Sequence, residues 1–529
     1  LVDSHFRPLS ITFDEVRRFN GPVVLLQERL AQTYAGGETL DIQILLSNYS
    51  GETIESGVVR AGVSCDGQKI EERELPVTAF PNGQVAPVGA VRVVLPELSE
   101  PGQIRVEAVL ESASVRQKKN DWTAWLFPSA PFKPSMDVAL YASTDLVSLL
   151  EPFGAIAMPE GDAPLPHAVY VARQPSEALV SAAETGACVV LLSPAGVFPT
   201  DYTSYKPAWW LGVFEGDSNA GTFVYDNPIT HGLTPDGWCD ASWFHLLQGA
   251  QTFLLDDLPA PPEVLIRALN THGAPHPFSR YIDFEYVWRN KALLMQAKVG
   301  EGALILSGIN FDLALGEGGP EASHLLGRIF EYAKGFPRPA AEWPVEFVRD
   351  SVVRSPFAKG PLVSGFQRLA SHQGEKATGQ TCRERNGEVY RIRQEEPMHR
   401  IVWETDTVPE APYVTFVFAG GFPFLTPPSS PPGFTLTVNG RRVVDFDTTQ
   451  TQAQWAGVDK RTTLLYVPGH VQPSWSESAG RFYLSVPAEL VTPGSPCTLE
   501  VRSRGSDNKR WFGLHPYADL LLGSAAAKG

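Results

Sequence analysis

The chain has 529 residues, and a chain of this length is expected to divide into about three domains. Its formal net charge of −16 argues against nucleic acid and against an anionic membrane surface as partners. No apolar run in the sequence approaches the length that a membrane-spanning helix needs.

The N-terminal region combines one short helix with many short strands. Residues Thr12–Phe19 place Phe13, Val16 and Phe19 on one helical face. Short alternating runs follow, separated by Gly, Asn and Pro, and about seven of them predict an immunoglobulin-like β-sandwich over residues 21–130. The clearest strands are Leu40–Asn48, Val58–Ser64, Val91–Leu95 and Ile104–Leu110.

The middle region, residues 136–335, alternates strands and helices. Its predicted strands are Asp137–Tyr141, Ala168–Val171, Ala187–Ser193, Leu293–Lys298 and Ala303–Ile309, and its helices are Leu146–Glu151, Ser176–Glu184 and Glu321–Lys334. This alternation predicts an α/β domain with a parallel sheet that is covered on both faces. Such sheets bind ligands at the carboxyl ends of their strands.

The C-terminal region returns to short strands. Residues 336–360 are rich in Pro, Arg and Lys and indicate a linker. Residues 361–529 contain many candidate strands, and Asn439-Gly440 marks a hairpin. The pattern predicts a jelly-roll β-sandwich, an architecture of many carbohydrate-binding modules. The candidate strands are Arg400–Glu404, Tyr413–Ala419, Phe434–Val438, Thr463–Val467, Arg481–Val486 and Thr498–Arg504.

Three motifs in the middle region carry a family resemblance. HGLTPDGWCDASWFHLL (231–247), VGEGALILSG (299–308) and PEASHLLGRIFEYA (320–333) resemble the α/β domain that follows the catalytic barrel in many glycoside hydrolases of family 2. The resemblance implies a glutamine-amidotransferase-like or flavodoxin-like fold without known chemistry of its own. The first 26 residues resemble the exit from the last strand and helix of the family's barrel, which implies that residues 1–20 are the tail of a catalytic barrel.

The resemblance raises the question of an amidotransferase-type Cys–His–Glu triad. A nucleophilic cysteine belongs on a sharp strand-to-helix turn flanked by glycines. Cys188 instead begins an apolar strand, and Cys239 lies in a loop beside Trp238 and Asp240. No such triad is therefore predicted. All five cysteines, Cys65, Cys188, Cys239, Cys382 and Cys497, are interpreted as free thiols without metal-ligand spacing.

No catalytic residue is predicted in this chain. Glycoside hydrolysis needs two carboxyl groups on either side of the scissile bond. In family 2 enzymes these are barrel glutamates, and the matching barrel would lie upstream of Leu1. The adjacent acidic pairs Asp256-Asp257 and Glu395-Glu396 are interpreted as solvated loop charges.

Aromatic clusters are the candidate sugar-binding sites, because a pyranose ring offers an apolar face with hydroxyls around its edge. The candidate residues are Trp209, Trp210, Trp238, Trp243, Trp455 and Trp475. Neighbouring residues that complete the clusters are Tyr202 and Tyr205 in the first, Asp240 and His245 in the second, and Trp511 and His515 in the third. The competing interpretation is that these rings only bury area at domain cores and interfaces.

The sequence as a whole predicts the non-catalytic C-terminal portion of a family 2-like glycoside hydrolase, which supports the barrel and assembly. The alternatives are a stand-alone carbohydrate-binding protein and an independent enzyme that uses the α/β domain. The expected partners are the catalytic barrel of the same enzyme, a glycan and a further copy of the chain. No cofactor is specified, and a calcium ion held by Asp445 or Asp447 stays an open alternative. The compartment is unknown, with a periplasmic or secreted location preferred.

Overall fold

The computed structural model describes residues 13–130, 137–159, 165–194, 197–198, 200–203, 221–234, 237–248, 250–255, 258–269, 290–354, 362–363, 367–370, 380–384, 387–393, 399–405, 407–422, 432–447, 454–468, 478–505 and 511–514. The chain divides into two compact units. The first comprises Leu1–Phe132 with Gly318–Leu325, and the second comprises Lys133–Glu317 with Leu326–Gly529.

The first unit is a two-sheet β-sandwich preceded by a short helix. One sheet has the strand order β1-β3-β6 and the other β2-β8-β7-β4-β5. Alternate residues of the strands point inward, so that Ile104, Val106, Ala108 and Leu110 of β7 are all buried. The elements are α1 (Phe13–Phe19), β1 (Val23–Glu28), β2 (Thr33–Ala35), β3 (Thr39–Asn48), β4 (Ile54–Cys65), β5 (Gln68–Phe80), β6 (Gln84–Val94), β7 (Gly102–Ser112) and β8 (Lys118–Phe127).

An α/β domain follows, and all of it except Gly318–Leu325 belongs to the second unit. Its elements are β9 (Leu140–Ala142), α2 (Val147–Leu150), β10 (Ile156–Ala157), β11 (Val169–Ala172), α3 (Glu177–Glu184), β12 (Cys188–Leu192), β13 (Thr200–Thr203), β14 (Gly221–Val224), α4 (Phe244–Leu247), β15 (Ala250–Leu254), β16 (Glu263–Leu269), β17 (Lys291–Val299), β18 (Gly302–Ser307), α5 (Phe311–Gly316), α6 (Pro320–Lys334), β19 (Glu342–Trp343) and α7 (Val345–Arg354).

The sheet of this domain is mixed, which corrects the prediction of a parallel sheet. Strands β10, β9, β11, β12 and β18 are parallel neighbours in that order. The hairpin turn at Gly300 then reverses the chain, so that β17 pairs antiparallel with β18 and carries β15 and β16 as antiparallel neighbours. The parallel half alone has the geometry in which strand ends form a ligand-binding edge.

Helices cover both faces of the sheet. Leu179 of α3 and Val348 of α7 share a buried cluster with Val189 and Leu304 of the sheet. On the other face, Tyr332 of α6 accepts a hydrogen bond from Gln296 of β17 at 2.8 Å. These two-sided contacts explain why β12 and β18 are buried at every position.

The predicted linker, residues 336–360, instead contains two elements of the α/β domain. Strand β19 pairs in parallel with β17, and α7 follows it directly. Trp343 is only 1% exposed, and its indole nitrogen donates to the Ala260 carbonyl at 3.0 Å. Arg349 of α7 forms ion pairs with Glu177 and Glu184 at the two ends of α3. Helical spacing of apolar residues outweighs the polar composition of this segment.

The C-terminal region of the second unit is a two-sheet β-sandwich. One sheet has the order β22-β23-β32-β25-β30-β29-β28, with β20 beside β25, and the other has the order β21-β24-β31-β26-β27. The strands are β20 (Leu362–Val363), β21 (Gln367–Ala370), β22 (Gln380–Glu384), β23 (Gly387–Arg393), β24 (Arg400–Glu404), β25 (Tyr413–Phe422), β26 (Phe434–Val438), β27 (Arg441–Phe446), β28 (Gln454–Ala456), β29 (Thr463–Pro468), β30 (Ser478–Pro487), β31 (Thr498–Ser503) and β32 (Trp511–Leu514).

The turn between β17 and β18 gives the first prediction. A Cβ atom on Gly302 would lie 2.1 Å from the Ala187 carbonyl oxygen, whereas one on Gly316 would have nothing within 4 Å. We therefore expect Gly302→Ala to lower the free energy of unfolding by about 1–3 kcal/mol. Gly316→Ala, the matched control in a helix, should leave it unchanged or slightly higher. Urea denaturation measures both, and equal stability of the two variants would contradict the packing described.

Candidate functional site

The carboxyl edge of the parallel strands carries a cluster of charged side chains. Ser143 and Asp145 follow β9, Arg173 follows β11, and Asp312 lies in α5 after β18. Because parallel strands end at the same edge of a sheet, residues that are distant in sequence meet here. This edge is the place where an open α/β sheet would hold a ligand.

Arg173 binds both carboxylates of this cluster. Its two terminal nitrogens lie 2.8 and 2.6 Å from the two carboxylate oxygens of Asp312. Its Nε lies 3.1 Å from one oxygen of Asp145, and the Ser143 hydroxyl donates to the other at 2.6 Å. Each of the four carboxylate oxygens therefore has a donor. Such fork-like pairing fixes the planes of the interacting groups.

The electrostatics of Arg173 depend on the carboxylates. Burial alone would lower the pKa of Arg173, but the Asp312 and Asp145 carboxylates outweigh it and raise the pKa. Tyr483 of β30 adds to the same upward shift. Tyr483 is buried and lies near enough to this edge of the α/β domain to affect Arg173.

Ser193 lies at the end of β12 in a left-handed backbone conformation, with a φ of 48°. A non-glycine residue rarely adopts this conformation, and nucleophiles of α/β hydrolases lie on sharp turns of this kind. Its hydroxyl donates to the Ile309 carbonyl at 3.2 Å, and among the described residues no histidine hydrogen-bonds to it. Ser193 was not among the predicted site residues, although the sequence Ser-Pro-Ala-Gly directly after an apolar strand is a signal for a sharp turn.

The cysteines described by the structure do not form a nucleophilic site. Cys188 is fully buried in β12, as expected, and burial raises its pKa. Burial, with the nearby Asp240 carboxylate, also raises the pKa of Cys239. In the C-terminal sandwich, burial raises the pKa of Cys497 to about 11. A thiol with a raised pKa holds its proton at neutral pH and is a poor nucleophile.

The structure separates the residues of the second predicted sugar-binding cluster. Trp238 is 50% exposed, and its ring lies 4.4 Å from that of Phe223, centroid to centroid. Trp243 is buried, which corrects its selection as a sugar-binding residue, because a ring inside the fold cannot meet a glycan. Asp240 caps the short helical turn by accepting from the Ser242 backbone.

Trp455 is a second correction. It was selected as a candidate sugar-binding residue, but it belongs to β28, and its side chain lies in the sandwich core against Phe446, with ring centroids 5.8 Å apart. Pairing of β28 with β29 directs the ring inward. The remaining candidates, Trp209, Trp210 and Trp475, and the accessory residues Tyr205 and His515, lie outside the described residues, as do the side chains of Tyr202 and Trp511.

The suggested calcium ligand Asp445 has other partners. Its carboxylate accepts from Thr435 at 2.8 Å and pairs with Arg442 and with Arg504. In the described part of the chain, no group of three or more His, Cys, Asp or Glu residues has the arrangement of a metal site. No helix of that part is long and apolar enough to cross a membrane.

Two family models match the chain. The first, "Domain of unknown function (DUF8488)", covers residues 38–128, and the second, "Domain of unknown function (DUF8487)", covers residues 170–352. The first match lies within the N-terminal sandwich, and the second runs from β11 into α7. The second match includes β19 and the first part of α7, which agrees with their place in the α/β domain. The comparison with curated proteins gives no match.

Solved structures that resemble parts of the chain are distant. A β-glucuronidase from glycoside hydrolase family 2 is 11% identical over 39% of this chain and 23% of its own, with a TM-score of 0.17. A putative β-galactosidase from Bacteroides fragilis is 13% identical over 32% and 28%, with a TM-score of 0.15. The CARDB domain of a Pyrococcus furiosus protein is 11% identical over 20% and 84%, with a TM-score of 0.15. Scores this low assign neither fold nor function.

The burial of Cys188 gives the second prediction. Cys188→Ser places a hydroxyl in an apolar strand and should lower the free energy of unfolding by about 1–3 kcal/mol. Cys188→Ala, which adds no polar group, should cost less. In the unmodified chain, iodoacetamide at pH 7 should alkylate the Cys188 peptide only after denaturation, as peptide mass spectrometry would report. Rapid alkylation of Cys188 in the folded chain would contradict the assignment as a buried structural thiol.

Proposed function

We propose that this chain is a non-catalytic accessory region of a family 2-like glycoside hydrolase, in which it supports a catalytic barrel and contributes to assembly. In this proposal the α/β domain has the amidotransferase-like architecture without its chemistry. The flanking sandwiches have immunoglobulin-like and jelly-roll character. The proposal also includes a glycan as the substrate of the parent enzyme.

The arrangement at Arg173 carries the non-catalytic part of this proposal. A glycosidase needs one carboxyl group that can donate a proton and a second that is free to act on the sugar. The guanidinium of Arg173 forms ion pairs with carboxylate oxygens of both Asp145 and Asp312. Opening this cluster for chemistry would leave Arg173 and Asp312, which are partly buried, without each other's charge, and that is costly. The cluster is therefore suited to holding the strand ends together.

The family assignment in this proposal is supported by the order of the sequence motifs. The three stretches that resemble the post-barrel domain occur in the family's order, at 231–247, 299–308 and 320–333. They follow a sandwich and precede another, as expected for an accessory region with three domains. One of the three glycines of the second motif is required by packing, because a Cβ atom on Gly302 would lie 2.1 Å from the Ala187 carbonyl oxygen.

An independent hydrolase is the second candidate, and Ser193 is the observation that favours it. Its φ of 48° directly after β12 is a strained backbone conformation of the kind that a nucleophile turn also requires. Activation of a serine also requires an adjacent base. The hydroxyl of Ser193 instead donates to the Ile309 carbonyl. The accessory role therefore accounts for more of the geometry.

Turnover and active-site labelling separate the two candidates, and they give the third prediction. We expect no hydrolysis of 4-nitrophenyl glycosides or 4-nitrophenyl acetate by this chain above the rate of an Asp145→Asn, Asp312→Asn double variant. A fluorophosphonate probe should not label Ser193, and Ser193→Ala is the control. Hydrolysis that one Asp or Glu substitution abolishes, or labelling that Ser193→Ala removes, would overturn the accessory role.

A further inference from the structure

The antiparallel half of the α/β sheet carries exposed aromatic rings on one face. Phe223 of β14 lies directly opposite Arg267 of β16, so both side chains are on the same face of the sheet. Tyr225, two residues beyond Phe223, shares this face and is 45% exposed. We call the surface formed by Phe223, Tyr225, Trp238 and Arg267 the aromatic platform.

Trp238 extends the platform on the other side of β14. It forms an antiparallel bridge with Phe223. Backbone hydrogen bonds hold the segment around Trp238 on both sides. Val224 N donates to Gly237 O at 3.0 Å, and Cys239 N donates to Thr222 O at 3.3 Å. Trp238, Phe223 and Arg267 thus lie in a row across three paired segments, a width of about 10 Å.

The platform is rigid although its rings are exposed. Arg267 Nε donates to the Tyr225 hydroxyl at 3.0 Å. Asn227 donates to the Tyr225 carbonyl at 2.8 Å and to the Leu265 carbonyl at 3.3 Å, which ties the end of β14 to β16. A ring held in place before binding loses little conformational entropy when a ligand covers it.

We propose that the aromatic platform binds a pyranose ring of a neutral oligosaccharide. The Trp238 face offers a flat apolar surface for the axial hydrogens of the sugar. The Tyr225 hydroxyl and the Arg267 guanidinium lie beside it, where they can bond the equatorial hydroxyls. Asp226 and His231, paired at 3.0 Å and both exposed, add polar groups at the border. The charges of Arg267 and Asp226 are opposite, which suits a neutral ligand.

Two other occupants fit the platform less well. A stable protein–protein contact buries about 800 Å² on each partner. The few aromatic rings of the platform, with charged side chains around them, provide a smaller apolar surface than the core of such an interface. An anionic ligand would meet the exposed Asp226 carboxylate beside Tyr225. This inference rests on the proposed function and specifies it further. A neighbouring catalytic domain would act on the glycan that the platform holds.

Calorimetric titration of the full chain with cellotetraose, xylotetraose, laminaritetraose and mannotetraose tests this inference and gives the fourth prediction. We expect at least one of the four to bind, and Trp238→Ala to weaken its association about tenfold or more. Trp238→Phe keeps a flat ring and should lose less. Tyr49→Ala removes an aromatic side chain that is 60% exposed in the N-terminal sandwich, and this control should bind as the unmodified chain does.

Three results would overturn the glycan platform. The first is no binding of any of the four sugars, and the second is binding that Trp238→Ala leaves unchanged. The third is self-association of the chain that Trp238→Ala removes in sedimentation, without sugar binding, which would assign the surface to a second copy. These results are distinct from failure of the accessory role, which would appear as turnover or as labelling of Ser193.

Discussion

One guanidinium, that of Arg173, joins the segments that follow three strands of the parallel sheet. It binds Asp312 through two hydrogen bonds and Asp145 through a third contact. An open α/β sheet exposes its strand ends at this edge, where many folds of the class place a ligand. Here the edge is closed by ion pairs, and Tyr483 of the C-terminal sandwich lies close enough to influence Arg173. In the proposed accessory role, this charge cluster holds the strand ends together.

Elsewhere in the α/β domain, glycines allow backbone segments to lie in close contact. Gly302 lets the turn between β17 and β18 lie against the carbonyl of Ala187, and Gly308 has a similar close approach to the Gln251 carbonyl. Strand β19 extends the sheet by pairing with β17, and α7 packs beside α3, to which Arg349 forms an ion pair. Among the described residues of this domain, the exposed aromatic rings of Tyr225 and Trp238 lie beside β14, in the antiparallel half of the sheet. The proposed glycan platform therefore lies in the half of the sheet away from the Arg173 cluster.

Much of the fold could be predicted from the sequence, because the local residue patterns agree with the tertiary packing. The strand predicted at Leu40–Asn48 is Thr39–Asn48, and the Asn-Gly hairpin joins β26 to β27 with positive φ angles at Asn439 and Gly440. The segment 336–360 was predicted as a linker because its composition is polar, while its periodic valines fit a helix. The antiparallel pairing of β15 and β16 with β17 could not be predicted, because it depends on contacts between segments that are distant in sequence.

The candidate sites were less predictable than the fold. Trp238, Trp243 and Trp455 occur in similar aromatic, turn-rich contexts, yet only Trp238 is exposed among these three. The exposure of a side chain depends on which face of its strand packs inward. A strand of three residues, such as β28, is too short for the alternation of apolar and polar residues to show which face that is. Arg173, Asp145 and Asp312 lie far apart in sequence. Their meeting therefore follows from the strand order, which sequence patterns alone did not supply.

A double-mutant cycle on Arg173 and Asp312 tests the structural role of this edge most directly. The measurement is native-state hydrogen exchange of the β11 and β12 amides in the chain, in Arg173→Ala, in Asp312→Ala and in the double variant. We predict a coupling free energy of about 1–3 kcal/mol, with oligosaccharide affinity unchanged in all four proteins. Additive changes in exchange, combined with loss of a catalytic activity or of sugar binding in either single variant, would contradict it and assign the edge to function.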